Sequence, residues 1–420
     1  MLYAGAFESF GKPLTAMVDT TTQSAGPLAN VKVLELGSLI AGPYAAALLA
    51  QFGANVIKIE PPNVGDPLRK WRELHEGTSL WWYAQSRNKQ SLSLDLRSED
   101  GQELVRRLVP ETDILIENFR PGTLEKWGLG WDVLSKLNPH LVMVRISGYG
   151  QSGPMRNLPG FAAIAEGMGG LRHVTGYPDR PPVRAGVSIG DTLASLYGLI
   201  GGLIAFHHVK VSGGEGQVVD VALYEAVFAA MESLIPEYSL RGVIRGRTGS
   251  SLPGISPSNT YLCRDRKYVI IAANGDALFK RLMAAIKRHD LAGDAALAHN
   301  DGRVARNTEL DQAIGAWTAE HDIDEVIDIL QRAAVPVGKS FTAEDIVTDK
   351  QYLARKMLEE HMLPAGGPKV KIPGIVPKLS ATPGETRWLG PELGQHTTDV
   401  LSSLGLGKAE IDRLKKQGLV

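Results

Sequence analysis

The sequence predicts an α/β protein: a doubly wound, mostly parallel sheet in a large Rossmann-like domain, joined to a smaller α+β domain. Three observations carry this. Short β-branched and leucine-rich runs alternate with helical segments between Val31 and Ser147, the pattern of a parallel sheet covered by helices on both faces. The crossovers between runs have the length that parallel neighbours require. From Leu223 the pattern changes to one β-like run, Tyr268–Ala272, set among several helices.

The elements follow in order. The first strand is residues 31–36, VKVLEL. A loop over 37–43 leads to a helix over 45–52, which Gly53 closes. Residues 54–59 are the next strand. Ser98 is placed to cap a helix that runs to Leu108. Residues 113–117 form a strand, and a helix over 131–137 precedes another at 141–147. A helix over 224–233 opens the second region, and the basic, glycine-rich stretch 241–249 reads as a loop. Helices are expected near 276–288, 308–320 and 323–334. Residues 364–390 are rich in Pro and Gly and read as extended chain, and 402–417 is a closing helical segment. The chain therefore divides into a flexible tail (1–28), a first part of the large domain (29–222), a small domain with linkers (223–340), and a linker with a C-terminal part (341–420).

Composition narrows the function. The 420 residues are 44% hydrophobic and 22% charged, an ordinary globular mixture. Lys+Arg is 45 against Asp+Glu 46, so the net charge is −1. That balance offers nucleic acid or an anionic membrane no electrostatic attraction. The single cysteine, Cys263, leaves no partner for a disulfide and no multi-thiolate metal site, and it reads as a packed small hydrophobe. The longest apolar stretch, 193–206, is shorter than the ~20 residues of a membrane span and reads as a buried helix. Residues 1–29 have neither the arginines of a transit peptide nor the apolar centre of a signal peptide. The expectation is a cytoplasmic protein with a loose N-terminal tail, in which Met17 is an alternative start.

The glycine fingerprint of dinucleotide folds is missing after the first strand, where Leu36-Gly37-Ser38 stands, and there is no Walker loop. Asp191 follows Val187-Ser-Ile-Gly190 and precedes an apolar helix. Strand, glycine, acid and helix make a turn that exposes one carboxylate, either as an N-cap or as a nucleophile or base. Lys58-Ile-Glu60 and Glu117-Asn-Phe-Arg120 sit at strand C-terminal ends, where open α/β sheets bind ligands. His207-His208 reads as a helix C-terminal pair, and Trp81-Trp82-Tyr83 as packing.

Several segments together resemble one family. Leu36-Gly-Ser-Leu-Ile-Ala-Gly-Pro43, Gly53-Ala-Asn-Val-Ile-Lys-Ile-Glu60, Gly65-Asp66 and Asn88-Lys-Gln-Ser-Leu-Ser-Leu-Asp95 are similar to the family III CoA-transferases, the formyl-CoA and carnitine-CoA transferase family. So are Glu117-Asn-Phe-Arg-Pro-Gly122, Leu137-Asn-Pro139, Ser147-Gly-Tyr-Gly150, Gly190-Asp191 and Gly394-Gln-His-Thr397, in the same order along the chain.

The resemblance implies an enzyme that moves CoA between an acyl-CoA and a free carboxylic acid. It implies that Asp191 attacks the thioester, passing through a mixed anhydride and an aspartyl-CoA thioester. A carboxylate needs no deprotonation for this at pH 7. It implies no prosthetic group and no metal, with coenzyme A bound as substrate. The matching CoA contacts are Ser38, Leu39, Ile40 and Ala41 in the first loop, Leu94 and Arg97 in the next, and Asn118, Phe119 and Lys126 in the third. Arg97 and Lys126 suit phosphate. It also implies an interlocked homodimer whose large domain is completed by the C-terminal part of the chain.

Departures from the family matter as much. Formyl-CoA:oxalate members carry a tetraglycine loop where this chain has Gly249-Ser-Ser-Leu-Pro-Gly254, and a glutamine where it has Ile40. The racemases of the same superfamily place a histidine where Gly160-Phe161-Ala162 stands. Two-base epimerisation then lacks a partner. Transfer is therefore the leading expectation, with a racemase and a silent CoA-binding protein as alternatives. Ile40, Phe161 and the 249–254 loop are the expected specificity positions.

Overall fold

A computed structural model describes residues 26–420. The expected tail therefore lies outside the described residues, except for its last three positions. Six strands form the main sheet: β1 (Lys32–Glu35), β2 (Asn55–Glu60), β3 (Lys89–Ser93), β4 (Ile114–Glu117), β5 (Val142–Ser147) and β6 (Val218–Ala222). Their spatial order is β3-β2-β1-β4-β5-β6, and all five pairings are parallel. This is the doubly wound order in which the winding reverses beside β1.

Two of these strands escape the sequence pattern. β3 reads KQSLS, and its Lys89, Ser91 and Ser93 are buried although polar. β6 follows a glycine-rich turn and is only partly buried.

Helices cover both faces. On one face α1 (Ala41–Gln51) lies against the sheet, with Ala45, Ala46, Ala47 and Ala50 fully buried. It starts four residues earlier than expected and takes Pro43 into its first turn. α2 (Glu99–Leu108) lies on the opposite face, and the Ser98 hydroxyl caps it by accepting from Gly101 N–H at 3.0 Å. Past the short helices Thr123–Lys126 and Trp131–Leu137 come α3 (Ala162–Met168) and, after one further short helix, α4 (Ile189–Ser212).

α4 packs on the same face as α1. A Cβ on Gly198 would lie 3.0 Å from Ile146, and one on Gly202 would lie 3.1 Å from Val144, so these glycines let the helix approach β5 closely. The expectation of a shorter buried helix is corrected here. α4 has 24 residues and meets the length and apolar content of a membrane span. One face is packed on the sheet, while Leu196, Tyr197, Ile200 and Ile204 are exposed on the single chain. Histidines 207 and 208 lie inside this helix, before its Gly213 cap.

A second core forms around an antiparallel sheet of β7 (Ser258–Leu262), β8 (Tyr268–Ala272) and β9 (Val337–Lys339), with β8 central. Helices Asp276–Ala285, Asn307–Thr318 and Ile323–Arg332 pack on it through Phe279, Leu282, Ile314, Val326 and Leu330. Asp322 and Glu325 form a capping box at the start of the third helix. Cys263 is buried in this core.

The chain then returns to the large sheet. The stretch expected to be extended holds one strand of a hairpin, Leu358–Met362 with Lys369–Pro373. The closing segment is two helices, Thr397–Ser403 and Lys408–Lys416, broken at Gly405 with φ +84°. Val400, Leu401, Ile411 and Leu414 are buried in one cluster with Leu34, Leu92 and Leu115 of the large sheet.

Candidate active site

The chain winds in opposite directions from β1 and β4, which leaves a crevice at their carboxyl ends. Residues 37–41 leave β1 there, and Asn118 follows β4. Asn118 clamps the loop at two points. Its Oδ1 accepts from Ser38 N–H at 2.8 Å, and its Nδ2 donates to Ser38 O at 2.9 Å. Gly37 is needed for this approach, since a Cβ there would lie 2.7 Å from Asn118 Oδ1.

Leu39 adopts φ +65°, a left-handed conformation that costs a non-glycine residue free energy. Its surroundings hold it there. Leu39 N–H donates to both carboxylate oxygens of Asp66 at 3.0 and 3.1 Å, and Leu39 O accepts from Gln85 Nε2 at 2.8 Å.

A buried ionic network backs the loop. Lys58 Nζ lies 2.7 Å from Glu35 and 2.8 Å from Asp66, and donates to Gly37 O at 2.9 Å. Lys89 Nζ lies 2.7 Å from the other Glu35 oxygen and donates to Pro43 O at 2.6 Å. Arg69 pairs with Glu60 at 2.7 Å and stacks 3.7 Å over the ring of Trp82, itself buried. Burial pushes the Asp66 carboxyl up, but Lys58 and the N–H groups of Leu68 and Leu39 hold it below its ordinary value. Burial likewise opposes the charge on Lys58, and Asp66 and Glu35 overcome it, raising its pKa.

Asp191 stands in the first turn of α4. The residues immediately before this helix, 181–188, form no strand, and the helix N-cap is Ser188, so the N-cap reading of Asp191 is corrected. A Cβ on Gly190 would sit 3.2 Å from Ala162, so this glycine lets α4 press against α3. Ser195 Oγ lies 2.7 Å from both Ala41 O and Asp191 O, which ties the start of α4 to the start of α1.

Asp191 shares a cavity of about 740 Å³ with Ser38, Leu39, Ile40, Ala41, Asn118 and Phe161. Glu166 is buried close by, and its Oε2 accepts from Arg172 Nη2 at 3.2 Å and lies 3.7 Å from Arg184 Nε. Burial and the Glu166 charge push the Asp191 carboxyl up to about 6, against the pull of Arg184. The result is a desolvated carboxylate at a helix N-terminus, beside first-turn N–H groups that a developing oxyanion needs.

Leu94, Arg97 and Phe119 line a second cavity of about 310 Å³ with Leu36, Pro61 and Trp127. Ser38 lines both cavities, so they adjoin across the end of β1. Phe119 meets Trp127 edge-on at 5.2 Å. Arg97 is paired with Asp95 at 2.9 Å, and its side chain is largely exposed. Lys126 lines neither cavity and stands exposed on the short helix Thr123–Lys126.

Within one chain the 249–254 segment stands apart from Asp191. Gly249 N–H donates to Gly176 O at 2.9 Å, and Ser251, Leu252 and Pro253 line a separate cavity with Leu171 and Met231. Sequence reasoning gave no role to Arg72, Glu166 or Arg184. The signal available for Glu35 and Lys58 was an opposite pair of charges inside otherwise apolar strands.

A parallel sheet of this order, with a carboxylate facing the crevice at its reversal point, defines an α/β enzyme with a ligand site at the strand ends. The chain belongs to CoA-transferase family III, whose model matches residues 28–397. It is 49% identical over 387 residues to the succinyl-CoA–D-citramalate CoA-transferase of Chloroflexus aurantiacus, covering 92% of this chain and 96% of that one. It is 41% identical over 406 residues to the succinyl-CoA–L-malate CoA-transferase alpha subunit of the same species, with 95% and 94% covered. The crystal structure of a CAIB/BAIF family protein from Brucella suis superposes with a TM-score of 0.79 at 33% identity, covering 90% of this chain and all of that one. The protein is thus a CoA-transferase that acts on acyl-CoA and carboxylic acids.

Proposed function

We propose that this enzyme transfers CoA from succinyl-CoA to a hydroxy-dicarboxylic acid through a covalent intermediate on Asp191. The carrying observation is the position of Asp191 in a cavity that adjoins a second, mostly apolar one through Ser38. The substrate class follows the names of the two relatives, both of which act on succinyl-CoA and a hydroxy-dicarboxylate.

An Asp191 oxygen attacks the thioester carbonyl and the C–S bond breaks, giving a mixed anhydride and CoA thiolate. The thiolate attacks the aspartyl carbonyl, which releases succinate and leaves an aspartyl-CoA thioester. The acceptor carboxylate attacks that thioester and expels the thiolate. The thiolate then attacks the acceptor's carbonyl, and the Asp191 carboxylate is restored. No proton changes hands, so a base adds nothing and a carboxylate nucleophile suffices. First-turn N–H groups of α4 support each tetrahedral oxyanion.

Ser38, Leu39, Ile40, Ala41 and Asn118 guide the pantetheine arm toward Asp191. Leu94, Phe119 and Arg97 take the adenine end, Arg97 serving phosphate once it leaves Asp95. Lys126 contributes only a nearby surface charge.

The active form is an interlocked homodimer. The stripe Tyr197, Ile200 and Ile204 on α4, exposed in the single chain together with Leu196, supports this reading, as do the exposed Ile235, Tyr238, Leu240 and Ile244. Patches of that kind mark association surfaces.

The test is chromatography of CoA esters after mixing succinyl-CoA with a panel of acids. New CoA esters should form with hydroxy-dicarboxylates, and Asp191→Asn should lower the rate by about 10⁴-fold or more. Full exchange in that variant contradicts the mechanism.

A further inference from the structure

Among the described residues two cations line the Asp191 cavity, Arg72 and Arg184. They differ in what holds them. Arg72 lies over the Trp81 ring, 4.9 Å from its centroid, and faces an aromatic surface. Arg184 points its guanidinium at Glu166, but at 3.7 Å, too far for a hydrogen bond. Arg172 is the nearer partner of that carboxylate, at 3.2 Å, and Glu166 Oε1 is buried with no hydrogen-bond partner among the described residues. Arg184 therefore keeps its donors free at the edge of the cavity while a buried acid fixes where it points.

The charge count gives this arrangement a direction. Around Glu166, Arg172 and Arg184 balance Glu166 and Asp191 while Asp191 is ionised, Arg72 being a further cation of the cavity lining held at Trp81. Acylation of Asp191 removes one negative charge, and the cluster is left with a surplus positive one. The surplus appears at the stage when a second carboxylate has to enter.

Resting on the reading of Asp191 as the covalent nucleophile, we infer that Arg184 is the specificity residue of the acyl pocket. It pairs with the distal carboxylate of a dicarboxylic substrate, and Glu166 positions it. A guanidinium meets a carboxylate through two parallel N–H donors, and an ammonium cannot reproduce that fork.

The test uses succinyl-CoA and butyryl-CoA, four-carbon donors that differ in the terminal carboxylate, with one acceptor acid held constant. The readout is the ratio of their kcat/KM values. Arg184→Gln should lower the succinyl/butyryl ratio by about 10- to 100-fold, the range of a lost charge-assisted hydrogen bond. Arg184→Lys should recover part of the ratio, and Arg72→Gln should move it far less. An unchanged ratio in Arg184→Gln, whether activity is kept or lost equally toward both donors, overturns the inference. So does a ratio that falls in Arg72→Gln instead. Both results leave the covalent reading intact. A wild-type enzyme that transfers CoA from neither donor strikes at that reading itself and overturns both.

Discussion

Asp191 carries a cost that its chemistry explains. Its carboxyl ordinarily titrates near 3.8, and the folded site moves it to about 6, first by burial and then by Glu166. A folded-state pKa above the unfolded one means that the fold prefers the protonated acid. The penalty is absent below about pH 3.8, grows up to about pH 6 and is complete above it. Asp191→Asn should therefore gain about 1–2 kcal/mol of stability at pH 7.5, after allowance for solvent screening, and the gain should vanish at pH 3.5. Denaturant titrations at the two pH values check this. In the proposed mechanism only the carboxylate attacks, so kcat/KM should fall about tenfold per pH unit below about 6 and level off above it. From the sequence, Asp191 was legible as a functional residue only through family resemblance. Local spacing alone favoured an N-cap, because nothing in the order of residues showed that Ser188 holds that position or that Glu166 lies alongside.

At the scale of elements, the first loop is shaped by groups far away in sequence. Asn118 reaches it across 80 positions and Gln85 across 46. Asn118→Ala removes both bonds to the Ser38 backbone. It should weaken acyl-CoA binding by about tenfold and cost about 1–2 kcal/mol, measured as KM and by denaturant unfolding. The ionic network beneath is less forgiving. Lys58→Met strands Asp66 as a buried carboxylate without its cation, and should cost about 3–5 kcal/mol. The loop's sequence was readable as a motif, but the reason for its shape was not. A left-handed Leu39 has no marker in composition, and β3 hides from an apolar-run search because its buried Lys89 and Ser91 are polar, satisfied by Glu35 and Glu60.

At the scale of the molecule, the alternation of strands and helices gave away the parallel sheet, but the change of pattern near Leu223 does not coincide with the start of the second core: Leu223 and Ala226 pack with the large sheet, and the second core begins with β7. The return of the C-terminal helices onto the large sheet depends on contacts such as Asp95 N–H to Leu419 O at 2.9 Å, which no local pattern contains. The length of α4 was underread because the apolar window ended before the helix did. Its exposed stripe should bury in a dimer, so equilibrium sedimentation should give about twice the 45.3 kDa chain mass, and Ile200→Asp with Ile204→Asp should reduce it toward the monomer.

The proposed mechanism rests on a covalent bond to one carboxylate. The most direct measurement incubates the enzyme with succinyl-CoA, quenches with hydroxylamine and maps the modified peptides by mass spectrometry. A hydroxamate should form on Asp191, absent without acyl-CoA and absent in Asp191→Asn. An enzyme that exchanges CoA at full rate while Asp191 stays unmodified would contradict that mechanism.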